Sequence, residues 1–272
     1  MRIALILAAA AAFHPALTPF QPPGKRSVEF GCPLNEAGFA KLKKAIAWQS
    51  ASARADYYFD GFDGKKYLLK GAPVTIKVRV KMKAKGPHWQ VSRFVSKDHV
   101  TVEGVDVKIH VTESWEGKLK GAKGFLGAAD TFYKRIDQGG APLRAAGDQV
   151  DKAWRSVRAE KSLPGLNVFD HYMGKQPYKL YPIRLSSAKQ RLTASLPGLK
   201  LMLGTEPERN AAGKTVVLHE LEVEAENDLN PAQARAAAMQ VGKLLRKAGV
   251  TAADQTEPEA NGYLYTARQL TR

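Results

Sequence analysis

Apolar and polar residues alternate strictly in two stretches of the first half of the chain. Within Val74–Lys83, the basic residues Lys77, Arg79 and Lys81 alternate with apolar ones, and Val105–Thr112 alternates in the same way. Because successive side chains of a strand point to opposite faces of a sheet, each stretch predicts a strand with one apolar and one polar face.

The same criteria predict the remaining elements. Strands are expected over 27–32, 55–59, 66–70, 89–95, 179–185, 191–195, 199–204, 215–226 and 262–270, and helices over 33–53, 124–137, 143–160 and 231–248. Strands at short spacing without intervening helices favour antiparallel pairing. Two blocks of strands on either side of helices suggest one barrel built from both halves. The predicted fold class is therefore α+β, an antiparallel closed β-barrel with flanking helices.

The N-terminus has the pattern of a secretory signal. Arg2 precedes the apolar run Ile3–Phe13, which is shorter than the roughly 20 residues that a membrane span requires. We expect residues 1–24 to be a signal peptide and linker, and residues 25–272 to form a single domain with a helical insertion near 124–163. The protein is then exported, periplasmic or extracellular after cleavage. Since no later stretch is long and apolar enough to span a bilayer, no transmembrane segment is expected in the mature chain.

The charge balance narrows the class of partner. The chain has 42 Lys and Arg against 26 Asp and Glu, a formal net charge of +16. Such an excess favours anionic partners, which include nucleic acid, phosphates, acidic glycans and membrane surfaces, without choosing among them.

An acidic strand follows late in the chain, over His219–Glu226. Its four glutamates, at every second position, share one face. At about 6.6 Å spacing and an effective dielectric near 20, each adjacent pair repels by roughly 2–3 kcal/mol. Water on an outer face would relieve that repulsion, and so would cross-strand cations or a bound metal. If this strand and the basic strand line one barrel, cations can hold a phosphate chain while carboxylates hold Mg²⁺ or Mn²⁺.

Several segments, in order along the chain, resemble the CYTH superfamily of triphosphate tunnel proteins. The resemblance is carried by Asp56–Asp60, Lys70–Arg79, Trp89–Arg93, Arg184, Glu220–Glu224 and Gly262–Tyr265. It implies a triphosphate-tunnel-like barrel and a metal-dependent triphosphatase. One departure concerns the family's Glu-x-Glu-x-Lys on the first strand, of which only Glu29 remains, because Gly31 and Pro33 stand at the other two positions.

The resemblance also implies the site residues. The phosphate-binding residues expected from it are Lys77, Arg79, Arg93 and Arg184, to which the alternating basic face adds Lys81. The metal ligands expected from it are Glu29, Glu220, Glu222 and Glu224. The sequence assigns no catalytic residue. His219 is expected to pack on the apolar side of its strand. His110 is interpreted as structural, with a base inside the tunnel as the alternative.

Three functions stay open at this point. The first is an exported CYTH-like protein that binds and hydrolyses inorganic triphosphate, polyphosphate or an organic triphosphate with a divalent metal. The second is a polyanion-binding module that has lost the metal site and does not catalyse. The third is a basic surface protein for glycan, nucleic acid or membrane. No phosphate loop, nucleophile elbow or zinc pattern is present, and no specific nucleic-acid partner is expected.

Overall fold

The computed structural model describes residues 24–69, 76–83, 85–160, 163–174, 176–209 and 215–256. Within these ranges, the side chains of 50–55, 76–77, 160, 185–191, 206–209 and 215–216 are not described. The predicted signal peptide up to residue 23 and the predicted strand over 262–270 lie outside the described residues.

Eight strands and five helices follow one another in these ranges. The strands are β1 (Lys25–Leu34), β2 (Ser50–Phe62), β3 (Ile76–Lys83), β4 (Gly86–Val102), β5 (Val105–Lys118), β6 (Lys179–Leu196), β7 (Leu199–Arg209) and β8 (Thr215–Ala225). The helices are α1 (Glu36–Ala45), α2 (Ala122–Lys134), α3 (Gly140–Glu160), α4 (Leu166–Met173) and α5 (Pro231–Lys247).

The strands form one antiparallel sheet in the order β1-β5-β4-β3-β2-β6-β7-β8. Strand β1 pairs with β5 along one side and with β8 along the other, so the sheet closes on itself as a barrel. The prediction of an α+β fold with an antiparallel sheet and flanking helices is confirmed.

Helices cover the outside of the barrel in two groups. Helices α1 and α5 pack on an apolar surface to which β1, β5, β7 and β8 contribute, with Val28 and Leu221 fully buried beneath them. Helices α2, α3 and α4 pack on β2, β3, β4 and β6. There Trp89 stacks on Trp154 with ring centroids 4.6 Å apart and meets the edge of Phe169. Since the apolar residues of the alternating strands face these helices, the polar residues are left to face the interior of the barrel.

Two predicted elements are wrong. The helix expected over 33–53 is confined to α1, because the chain from Ser50 onward pairs with β6 instead. The strand expected over 66–70 does not form in its described part. Instead, the Asp63 carboxylate accepts the backbone N–H groups of Lys65 and Lys66, both at 2.8 Å, and so closes a turn. Helix α4 was not predicted, and the two strands expected over 179–195 are one continuous strand, β6.

The single cysteine of the chain lies in the strand that closes the barrel. Cys32 is fully buried in β1, and burial raises the pKa of its thiol to about 12. Its sulfur accepts a hydrogen bond from the Gln255 side chain at 3.0 Å. None of the helices in the described part of the chain combines the length and apolar character needed to cross a bilayer.

Candidate functional site

The interior of the barrel holds a polar cavity of about 230 Å³, which we call the bore. It is lined by Lys25, Ser27, Glu29, Phe30, Gly31, Tyr58, Arg79, Lys81, Gln90, Ser92, Phe94, His110, Thr112, Ser114, Glu116, Arg184, Glu220, Glu222 and Glu224. These residues come from β1, β2, β3, β4, β5, β6 and β8, mostly at alternate positions. Alternate residues of each strand therefore line the bore, and the pairing register between strands determines which of these side chains are neighbours.

One row of cross-strand neighbours forms a basic wall. Arg79 lies opposite Tyr58 on β2 and opposite Gln90 on β4, and Tyr58 lies opposite Arg184 on β6. Arg79 donates to Gln90 Oε1 at 2.6 Å and to the Tyr58 hydroxyl at 3.3 Å. Its guanidinium also lies 3.5 Å from the nearer carboxylate oxygen of Asp56, whose residue is 1% exposed. Two arginines thus reach the bore beside one tyrosine.

The charge of Arg79 is held in place by its neighbours. Burial by itself lowers the pKa of the guanidinium, but Tyr58, Asp56 and Glu222 act in the other direction and leave the pKa raised. The contribution of Glu222 is an attraction between β8 and β3, which stand four places apart around the ring of eight strands. Arg79 therefore stays charged, and an acidic strand faces it across the bore.

A second basic residue of the bore, Lys81, lies two positions after Arg79 on β3. Lys81 Nζ lies 3.2 Å from a carboxylate oxygen of Glu116 on β5, and Lys83 contacts the other oxygen of the same carboxylate. Burial raises the pKa of Glu116, but the two lysines outweigh burial and hold the pKa below its usual range. Glu116 is thus an anion that orders two cations.

The acidic wall is built by β8 and β1. Glu224 lies opposite Glu29, and Glu222 lies opposite Gly31. Like charges directly opposite one another destabilise an antiparallel pair. The carboxylate of Glu220 leans over the glycine, since a Cβ on Gly31 would lie 3.2 Å from Glu220 Oε1. One carboxylate oxygen of the wall, Glu220 Oε1, therefore lies beside the position where β1 has no side chain.

Among the side chains that the structure describes, charges of both signs line the bore in nearly equal number. The cations are Lys25, Arg79, Lys81 and Arg184, and the carboxylates are Glu29, Glu116, Glu220, Glu222 and Glu224. No three His, Cys, Asp or Glu side chains of the described ranges are grouped as ligands ready to hold a metal ion. The described lining is thus bipolar, although the whole chain has a strongly basic net charge.

The structure brings most of the predicted site residues together. All four predicted metal ligands line the bore, and so do Arg79, Lys81 and Arg184. Lys77 pairs with Ser92, a bore residue, through the backbone, and its side chain is outside the described set.

The placement predicted for Arg93 is wrong. Gln90 and Ser92 face the bore, so Arg93 belongs to the outer face of β4 together with Val91. Its guanidinium pairs with Glu113 at 2.6 Å and lies 5.8 Å from the centre of the Trp115 ring. The Arg93 side chain therefore forms an ion pair on the outside of the barrel and does not line the bore.

Several bore residues were missed or misread from the sequence. Tyr58, which accepts a hydrogen bond from Arg79, carried no signal of its own. Gln90 and Ser92 alternate with apolar residues of β4, but they were passed over. Thr112, on the predicted polar face of β5, lines the bore and shares a 2.8 Å hydrogen bond with Ser27, and Ser27 and Ser114 were missed. His110, interpreted as structural, lines the bore. His219 does pack as expected, with its ring 4.5 Å from that of Phe39. Following the alternation of β4 from Gln90 to Phe94, and that of β5 from His110 to Glu116, gives the inward residues of these two strands.

Comparison of the sequence with protein-family models and with curated proteins gave no match. Similar solved structures include the PH1819 protein of Pyrococcus horikoshii, with 12% identity, a TM-score of 0.43, and 86% of this chain and 94% of that chain covered. The adenylyl cyclase HpAC1 from Hippeastrum, described as having a dominant triphosphatase activity, has 16% identity, a TM-score of 0.42, and 82% and 88% coverage. The mimivirus capping enzyme triphosphatase has 10% identity, a TM-score of 0.43, and 81% and 89% coverage.

Two of these three proteins are described as triphosphatases. Identities of 10–16% and TM-scores below 0.5 carry no family, activity or ligand over to this chain.

Proposed function

We propose that the protein binds a phosphate-rich anion, inorganic triphosphate or a short polyphosphate, as its complex with Mg²⁺ or Mn²⁺ in the bore. The observation that carries the proposal is the acidic wall of β8 and β1 facing the basic wall of β3 and β6 in one cavity. A bare polyanion would meet carboxylates on one side of this bore. A metal–phosphate complex presents positive charge to the glutamates and negative charge to the arginines.

The side chains present fit a divalent ion held in this way. Mg²⁺ is usually bound by one or two carboxylates together with substrate phosphates and water, rather than by a complete cage of protein ligands. One or two of Glu222, Glu224 and Glu29, which lie on the paired strands β8 and β1, would supply the carboxylates. A metal ion bound there would polarise the phosphoryl group and lower the pKa of water.

On the opposite wall, the chain's own residues would bind and orient the phosphates. Arg79 and Arg184 offer planar donor pairs that suit phosphate oxygens, and Lys81 offers a point charge. Hydrolysis of a phosphoanhydride is the stronger form of the proposal, and an organic triphosphate would use the same two walls.

A binding module without catalysis is the second candidate. It is favoured by Gly31 and Pro33, neither of which provides a carboxylate or an ammonium group at its position on β1. Binding of tripolyphosphate that neither requires Mg²⁺ nor leads to phosphate release would support this candidate.

The double variant Glu222→Ala, Glu224→Ala should lose metal-dependent tripolyphosphate binding and any phosphate release. The reason is that it removes half of the acidic wall and leaves the basic wall intact. We expect affinity in the presence of Mg²⁺ to fall about tenfold or more, measured by titration calorimetry together with a phosphate-release assay.

Glu226→Ala is the matched control, since this exposed glutamate follows β8 and does not line the bore. It should bind and turn over like the wild type. Equal metal-dependent binding by the double variant and the wild type would remove the acidic wall from the proposal, and no binding by the wild type would end the proposal itself.

Export is also part of the proposal, on the strength of Arg2 and the apolar run Ile3–Phe13. The full chain, expressed in a bacterium and recovered from the periplasm, should have lost its first 12 to 24 residues by intact mass. Recovery of the full-length mass from the cytoplasm would contradict export and leave the bore proposal untouched.

A further inference from the structure

Tyr58 stands between the two arginines that the bore presents. Its neighbours across the sheet are Arg79 on β3 and Arg184 on β6, so the three residues occupy one row. The carbon atoms of the two guanidinium groups lie 5.9 and 5.2 Å from the centre of the tyrosine ring. Both distances are within the range of cation–π attraction, which extends to about 6 Å.

This row of three residues explains how two arginine side chains can be held at fixed positions in the bore. Two guanidinium groups repel each other, and each long side chain loses rotamer freedom when it is held in one geometry. The electron-rich ring of Tyr58 attracts both cations and so offsets part of that cost. The Tyr58 hydroxyl adds a second restraint by accepting the hydrogen bond from Arg79.

We propose that Tyr58 is a positioning residue that holds Arg79 and Arg184 as a single clamp for one phosphoryl group. The inference rests on the proposed function and goes beyond it, because it gives a neutral side chain a part in orienting both arginines, beside Gln90 and Asp56 at Arg79. A clamp fixed in this way offers two guanidinium forks to the oxygens of one phosphoryl group.

The test compares Tyr58→Leu, which removes the ring, with Tyr58→Phe, which keeps the ring and removes the hydroxyl. Binding of tripolyphosphate with Mg²⁺ should weaken about tenfold in Tyr58→Leu and less than about threefold in Tyr58→Phe, since the two cation–π contacts are the larger contribution. Tyr57→Phe is the matched control. Tyr57 donates its hydroxyl to Asp130 on the outer side of the barrel, so its variant should bind like the wild type.

A cycle with Arg184→Lys separates positioning from a general structural effect. Arg184→Lys should weaken binding about tenfold in the wild-type background and less than about threefold in the Tyr58→Leu background, because the clamp is already lost there. A uniform structural lesion would give the same factor in both backgrounds. Tyr58→Trp, which has a stronger cation–π face, should bind at least as well as Tyr58→Phe and supplies the answer if Tyr58→Leu does not fold.

Three results would overturn the positioning role. They are binding by folded Tyr58→Leu within twofold of the wild type, equal losses in Tyr58→Leu and Tyr58→Phe, and equal factors for Arg184→Lys in both backgrounds. Each of them presupposes that the wild type binds. If the wild type does not bind tripolyphosphate at all, the proposed function fails first, so the two failures are distinguishable.

Discussion

Replacing Arg79 by Met should weaken tripolyphosphate binding about a hundredfold, because a half-buried cation with fixed donors is removed from the basic wall. Truncating one member of a desolvated charge pair typically costs about 2–5 kcal/mol, and a hundredfold loss corresponds to about 2.7 kcal/mol. Arg79 donates to Gln90 and Tyr58 and pairs with Asp56, so the guanidinium is oriented before any ligand arrives. Titration calorimetry in the presence of Mg²⁺ measures the effect.

Arg93→Met is the control for this variant. The side chains of Arg93 and Arg79 are exposed to a similar extent, 17% and 19%, and each pairs with a carboxylate on a neighbouring strand. Only Arg79 faces the bore, so Arg93→Met should bind within about twofold of the wild type. Arg79→Lys keeps a charge beside the buried Asp56, which protects the fold if Arg79→Met is unstable. Equal losses in Arg79→Met and Arg93→Met would show that the bore is not the binding site.

Trp89→Ala should lower the free energy of unfolding by about 3–5 kcal/mol, the usual cost of emptying a large aromatic site in a core. The indole is fully buried, stacks on Trp154 and lies at the centre of the contacts between β4 and helices α3 and α4. Denaturant unfolding followed by circular dichroism measures the change.

Trp89→Phe is the informative companion. The indole N–H of Trp89 is buried and has no hydrogen-bond partner among the described residues, so phenylalanine forfeits volume but no hydrogen bond. We expect a cost of about 1–2 kcal/mol, well below that of Trp89→Ala. Similar costs for the two variants would contradict this expectation and mean that a phenyl ring restores none of the packing that the indole provides.

The alternation of apolar and polar residues was the sequence pattern that predicted most of the candidate site. It predicted the basic face of β3 and the acidic face of β8, and closure of the barrel placed both in one bore. The prediction for Arg93 failed where it followed the family resemblance instead. In the segment from Trp89 to Arg93 the apolar residues alternate with Gln90 and Ser92, so the pattern itself assigns Arg93 to the outer face.

Some elements depend on pairing with a strand that is distant in the sequence. These elements could not be predicted from the local pattern of apolar and polar residues. The stretch after Ala45 has helical periodicity, but pairing of Ser50 with Thr193 on β6 outweighs it. Tyr58 is a second case, because its importance comes from having an arginine opposite it on each neighbouring strand. Neither arginine is near Tyr58 in the sequence, so only the register reveals the row.

Because β1 pairs with both β5 and β8, the order in which the strands can pair during folding is constrained. Its residues are among the earliest of the described chain, yet Glu29 finds its second partner only at Glu224 on β8. Contacts between residues so far apart in sequence slow folding. The chain must lose the conformational entropy of a very long loop before the pairing contributes any stabilisation. The ring can thus close only after nearly the whole chain has been synthesised, and the closing seam is the one that brings Glu29 and Glu224 face to face. A nascent chain halted before β8 would hold every arginine of the basic wall and only one glutamate of the acidic wall.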